Sequence, residues 1–282
     1  MMPLRKQLMG GDPVKVSEIS TGQPLPKTVH SMTAYFGAGP IVQALEMGAD
    51  IVVTGRTADS ALALAPCVHE FKWNLEKDWD LLAAGSLAGH LIECGGQATG
   101  GLFTDWEKVA KSGYANLGFP IVEMSSNGDI DLSKPPKTGG IVDKAAAAEQ
   151  MLYEIGDPAN YVLPDVNCDF TKVTMTQTDD KNVKIQGAIG KPPTETFKVS
   201  ATYMDGFKAT TVSIINGGQA GAKAHAVANA ILDRSRAINK FMGMGDFEDT
   251  YVTAIGNEES FGKNASKVCI FFLFLYFILL HS

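Results

Sequence analysis

The chain has 282 residues, 45% of them hydrophobic and 20% charged, with a formal net charge of −7. Such a chain is long enough to bury the core of one large domain or two small ones. Its acidic balance, with no Lys/Arg run, argues against nucleic-acid binding, which needs clustered cations to displace counterions from phosphates.

The first residues, "MMPLRKQLMGGDP", read as loop, without the long apolar core of a secretory signal. From Ser31 the string "AYFGAGPIVQALEMGADIVVTGRTADSALALAP" reads as turn, helix, strand and helix. Pro40 stands in the first turn of the first helix and Gly48 at its end, the usual asymmetry of helix termini. "ADIVVTG" is a short β-branched run between Asp50 and Gly55 and reads as a buried strand. This alternation predicts an α/β fold built on a parallel-type sheet with covering helices. In such sheets ligands gather beyond the carboxyl ends of the strands, which is where "TGRTADS" would lie. Arg56 suits a carboxylate or phosphate through its bidentate fork; Asp59 suits either a helix cap or a role on substrate.

"DWDLLAAGSLAGHLIECGG" carries small and apolar residues at three- and four-residue steps, predicting a helix from about Asp78 to Cys94 closed by Gly95. "IVEM" and "DIDL" flank Ser-Asn-Gly, a β-hairpin signal. "KTGGIVDKAAAAEQMLYEIGDP" reads as a Thr-Gly-Gly turn and a long helix stopped by Gly156 and Pro158. Beyond Pro164 alternating patterns predict antiparallel strands, followed by a helix, "AGAKAHAVANAILDRSRAINKFM", and a last strand, "DTYVTAIG". The expected organisation is an α/β portion with Gly-rich loops over 1–160, an α+β portion with antiparallel strands over 161–265, and an apolar tail over 266–282. The tail's run, Val268 to Leu280, is shorter than the ~20 apolar residues of a spanning helix. It reads as an artefact of gene modelling or truncation, a membrane anchor, or a buried element.

Three sets of residues bear on chemistry. His90, Glu93 and Cys94 are spaced to share one helix face. Their donor types suit a metal, but only one turn contributes and no second cluster follows, so no metal site is expected. General acid–base work by Glu93 or His90 asks for only one group in a partly dry pocket, against the alternative of a packed histidine and a solvent-facing glutamate. Cys94 is the weaker candidate, as a nucleophile. The stretches "CGGQATGG", "KTGG" and "INGGQAGAKAHA" fit either backbone phosphate cradles or plain turns, and none matches a Walker loop or the dinucleotide fingerprint. Four cysteines, Cys67, Cys94, Cys168 and Cys269, include no C-x-x-C pair, so a reducing compartment is the expected setting.

"SMTAYFGAGPIVQALEMGADIVVTGRTADSALALAP", "DWDLLAAGSLAGHLIECGGQATGG", "NLGFPIVEM" and "KPPKTGGIVDKAAAAEQMLYEIGDPANYVLPDV" together resemble the acyclic terpene utilization family of AtuA type. The resemblance implies a cytoplasmic protein of citronellol and geraniol catabolism, a pathway of branched acyl-CoA thioesters. It implies no particular reaction or cofactor. Its motif positions here are Thr54, Gly55, Arg56 and Asp59; His90, Glu93, Cys94, Gly95, Gln97, Ala98, Thr99, Gly100 and Gly101; and Lys134, Thr138, Gly139 and Gly140. The expectation is an enzyme in which Arg56 and the Gly-rich backbone hold the anionic part of an acyl or acyl-CoA ligand while Glu93, His90, Cys94 or Asp59 does the chemistry. The other reading is a non-catalytic ligand-binding or assembly subunit. Family members begin with a further Gly-rich strand and α/β portion and continue differently after "GNEESFG", so a truncated, inactive fragment is a further expectation. A homo-oligomer is expected, with membrane contact only through the tail.

Overall fold

A computed structural model describes residues 16–264 and 272–281; the N-terminal segment read as loop lies outside them. Chain contacts divide the molecule between Thr202 and Tyr203 into two compact units.

The first unit is organised around one helix. α1 (Gly39–Glu46), α2 (Ala61–Phe71) and α3 (Trp79–Glu93) follow each other in the order the apolar spacing predicts, and a short α4 (Trp106–Ser112) comes after them. Every residue of α3 from Leu82 to Leu91 is buried. A helix covered on all sides cannot be amphipathic, and the small residues Ala83, Ala84, Gly85, Ser86, Ala88 and Gly89 let neighbours approach its backbone. α2 packs along α3, and strands β2 (Ile121–Met124), β5 (Asn167–Asp169) and β8 (Ile189–Lys191), with helix α5 (Lys144–Leu152), close its remaining sides. Leu64, Leu82, Leu87 and Leu91 join Ile130, Leu132, Val183 and Ile185 in one core. Each such side chain contributes about 1.5–3 kcal/mol on burial.

Among the described residues the expected parallel-type sheet is not formed. A four-stranded sheet runs β2, β3 (Ile130–Ser133), β7 (Val183–Gln186) and β6 (Thr174–Gln177), antiparallel throughout. A three-stranded sheet joins β4 (Tyr161–Val162), β5 and β8, and β1 (Ser31–Ala34) pairs with β9 (Val199–Thr202), again antiparallel. Parallel pairing among the described residues is confined to two isolated bridges, Phe36 with Thr57 and Leu117 with Gly139. The fold is therefore α/β with several small antiparallel sheets. "DIVVTG" is not a strand: Ile51 is 84% and Val53 91% exposed. β-branched composition favours extended backbone, but a ladder also needs a partner strand, and none stands beside this segment among the described residues.

The hairpin of β2 and β3 is as expected, with Met124 opposite Ile130. α5 is shorter than its pattern, ending at Leu152 because Tyr153 turns to extended backbone (ψ 127°), with Glu154 next in a left-handed conformation (φ 59°) ahead of Gly156. At the other end of α3, Gly95 takes φ 56°, the left-handed geometry that lets a chain leave a helix.

The start of α1 is held by a carboxylate. Asp165 accepts the Ala38 N–H with oxygens at 2.9 and 2.8 Å. Burial pushes the Asp165 carboxyl above the usual carboxylate range, opposed by the N–H groups of Ala38 and Gly39. The proton is thus held more tightly by the folded chain. Stability from this group is full below the unfolded value and falls as pH rises through the raised one. Asp165→Asn does not titrate, so its melting temperature relative to the parent rises over that acid window and then levels off. A pH-independent difference in thermal melts would count against this role.

The second unit has β10 (Phe207–Asn216), helix α6 (Ala220–Phe241) and β11 (Asp249–Ile255). Ala220, Ala224 and Ala228 of α6 pack on Ala254, Ile215 and Val252 of the sheet. From the apolar tail, β12 (Phe272–His281) pairs antiparallel with β10 on one side and β11 on the other. The remainder of the run, 268–271, lies outside the described residues. Among the described residues no helix is long and apolar enough to cross a membrane.

Candidate functional site

The last turn of α3 places His90 and Glu93 three residues apart on one face, as their spacing requires. His90 Nδ1 lies 2.8 Å from Glu93 Oε1. A carboxylate only accepts, so Nδ1 carries the hydrogen and, in the neutral ring, Nε2 keeps its lone pair. His90 is 1% exposed, and among the described residues its buried Nε2 has no hydrogen-bond partner. Leaving such an atom unmatched costs about 1–3 kcal/mol. The ring is further fixed by Tyr161, 5.8 Å away between centroids, and by Gln150, whose Nε2 donates to the His90 carbonyl at 3.0 Å.

Both His90 and Glu93 line a cavity of about 550 Å³, within the range of small-molecule sites. Arg56 and Lys198 line it too, both close to the ring of Tyr35: the guanidinium carbon is 4.5 Å, and Lys198 Nζ 5.4 Å, from the ring centroid. Arg56 also reaches Asp59 at 3.3 Å, with both side chains about half exposed. An exposed pair of this kind contributes about 0–1 kcal/mol. Burial, then the charge of Glu93, pushes the Tyr161 phenol above its ordinary value, keeping it a protonated donor. Glu154, in its left-handed conformation, adds a third carboxylate to the lining. Strained backbone of this kind clusters at functional sites.

Arg56, Asp59, His90 and Glu93 are thus brought together. Cys94 lines an adjacent cavity that shares Asp59, Glu93 and Glu154 with the first. Burial and then the Glu93 charge raise the pKa of its thiol, which disfavours the nucleophilic thiolate. Thr54 and Gly55 line a separate cleft with Pro40 and Ile41, and Gln97 lines another with Gln150 and Tyr153.

The two Gly-rich loops do converge, but on each other. The N–H groups of Gln97, Thr99, Gly100 and Gly101 donate to carbonyls of Cys94, Gly96 and Gln97 within their own loop. Thr99 Oγ1 donates to the Gly118 carbonyl at 2.5 Å, and Ile141 N–H donates to the Thr99 carbonyl at 2.9 Å. Lys134 Nζ donates to the Thr138 carbonyl at 2.8 Å. Gly139 N–H donates to Asn116, and Gly140 packs against Thr99. The node ties the loop that follows α3 to the segments at Gly118 and 139–141.

Tyr35, Glu154, Tyr161 and Lys198 complete the cavity although no local pattern marks them. Lys198 sits in "ETFKVSATY", where alternation signals only a strand. Among the described residues no three His, Cys, Asp or Glu side chains converge as metal ligands.

A family model described as "Acyclic terpene utilisation family protein AtuA" matches residues 5–272. No curated protein and no solved structure matches the chain. With the match covering nearly its whole length, and the family-like strings supplying His90, Glu93, Arg56 and the loop node beneath them, the chain belongs to the acyclic terpene utilisation family of AtuA proteins.

Proposed function

We propose that this protein is a cytoplasmic catabolic enzyme acting on a branched acyl or acyl-CoA intermediate, with His90 and Glu93 transferring a proton and Arg56 and Lys198 holding the ligand's anionic part. The observation that carries the reading is the buried, unpartnered Nε2 of a histidine whose other nitrogen is held by Glu93, in a cavity that also presents two cations. His90 takes a proton from the ligand at Nε2, and the Glu93 carboxylate balances the imidazolium that results. The protonated Tyr161 phenol is a donor for the ligand's carbonyl. The three carboxylates turn an anionic end away from their wall, and Arg56 and Lys198 receive it. The Gly-rich loops support the site rather than cradle phosphate.

A second reading is a subunit that binds the ligand without converting it. The inward bonding of the glycine-loop N–H groups favours it, because those donors do not serve a developing oxyanion. Thermal melts of the intact protein with CoA esters, nucleotides and divalent metals test the common part of both readings. An acyl-CoA at about 100 times its Kd stabilises the fold by about 2.7 kcal/mol. Arg56→Ala and Lys198→Ala each weaken that binding by roughly 10-fold or more. Stabilisation that ignores both substitutions rejects the assignment of the anion site.

A further inference from the structure

A second cavity of about 400 Å³ opens between the start of α2 and the end of α3. It shares Asp59, Glu93 and Glu154 with the His90 cavity, so the two meet along one wall of carboxylates. Beyond that wall the lining is aliphatic: Leu62 and Ala63 from α2, Ile92 from α3. Space persists there because Ala63 is small; Gly89 serves packing, since a β-carbon on it would meet the Ser60 backbone. We infer that this cavity receives the uncharged aliphatic arm of the ligand, with Ala63 limiting its length and Leu62 forming its lip.

The inference rests on the acyl reading of the His90 cavity and deepens it. A ligand whose anionic end sits at Arg56 and Lys198 has its reacting carbons beside His90 and Glu93, and what lies past them is not anionic, because negative charge there would meet three carboxylates. The aliphatic lining of Leu62, Ala63 and Ile92 then favours an apolar arm. An aliphatic arm gains by leaving water, at about fourfold in affinity for each methylene buried. Cys94 lines the same space, and its thiol, raised by burial and by Glu93, stays neutral and compatible with an apolar guest. The arrangement selects by chain size, not by charge: a short acyl group leaves the second cavity empty, and a branched one fills it.

The test compares acetyl-CoA with 3-methylbutanoyl-CoA by titration calorimetry on the intact protein. The three further carbons tighten binding by roughly 50-fold in the parent. Ala63→Leu fills the cavity and brings that ratio close to one, while acetyl-CoA binding stays unchanged. Leu62 is 63% exposed, so Leu62→Asp leaves folding intact and places a hydrated carboxylate at the lip, lowering the ratio because an apolar arm loses its aliphatic contact there. A 50-fold ratio that survives both variants, or a parent that binds both esters equally, overturns the assignment of this cavity while leaving the anion site standing. If neither ester binds the parent, the acyl reading itself fails and this inference with it.

Discussion

His90→Gln lowers turnover by about 10²–10⁴-fold, with affinity for the acyl ligand changed little. Glutamine keeps a polar group near Glu93 but has no basic nitrogen at the position of Nε2. The loss therefore falls on kcat, and on kcat/KM in parallel, as expected when an interaction of the transition state is removed. Glu93→Gln falls in the same range, because the neutral amide still accepts the Nδ1 hydrogen but no longer offsets the imidazolium charge. Both variants are to be compared with the parent by single-turnover kinetics, by ligand titration and by thermal melting. His90 is buried at the end of the central helix, so the melting control decides the interpretation. If either variant loses stability in proportion to activity, the pair is a packing feature. If turnover is unchanged, the binding-subunit reading replaces catalysis.

The second large effect is structural. Gly139→Ala destabilises the fold by about 3 kcal/mol or more, lowering the melting temperature by roughly 6–12 °C. A β-carbon at residue 139 would stand 1.9 Å from the carbonyl oxygen of Gly113 and 2.9 Å from its carbon. Those are backbone atoms and cannot swing aside as a side chain would. Gly139 also bonds at both ends, through its N–H to Asn116 at 2.6 Å and through its carbonyl to Gly118 at 3.0 Å, so relief requires moving the whole loop. The prediction separates two roles for "KTGG". A packing node loses stability first, and ligand affinity only as the fold melts. A phosphate cradle would lose affinity with the melting temperature intact, which a pair of titration and thermal-shift measurements would detect.

These effects show where local sequence was informative. α1, α2, α3 and α6 were legible because their 3.6-residue spacing, Pro40, Gly48 and Gly95 act within a few residues of each other. The β2–β3 hairpin was legible for the same reason, its turn signal being local. The His90–Glu93 pair followed from helical geometry alone. By contrast, "DIVVTG" has the composition of a strand, and nothing within it reveals that no strand lies alongside. Other pairings join partners far apart in the chain, as when Ala34 meets Val199 and Ile130 meets Ile185, and these have no local signature.

From its own residues the chain determined its helices, its hairpin, its acidic character and its family likeness, all properties of neighbouring positions or of composition. Only the tertiary structure decided which candidates share a site. Arg56 and Lys198 both reach the ring of Tyr35 because β1 and β9 pair and the chain after Phe36 meets Thr57. Thr99 and Gly139 face into a packing node, not a cavity, because their loops spend their hydrogen bonds on each other. The physical reason is the same in both cases. Burial, orphaned donors and converging charge are properties of space between distant segments, and a helix can set the direction of His90 without setting what stands opposite it.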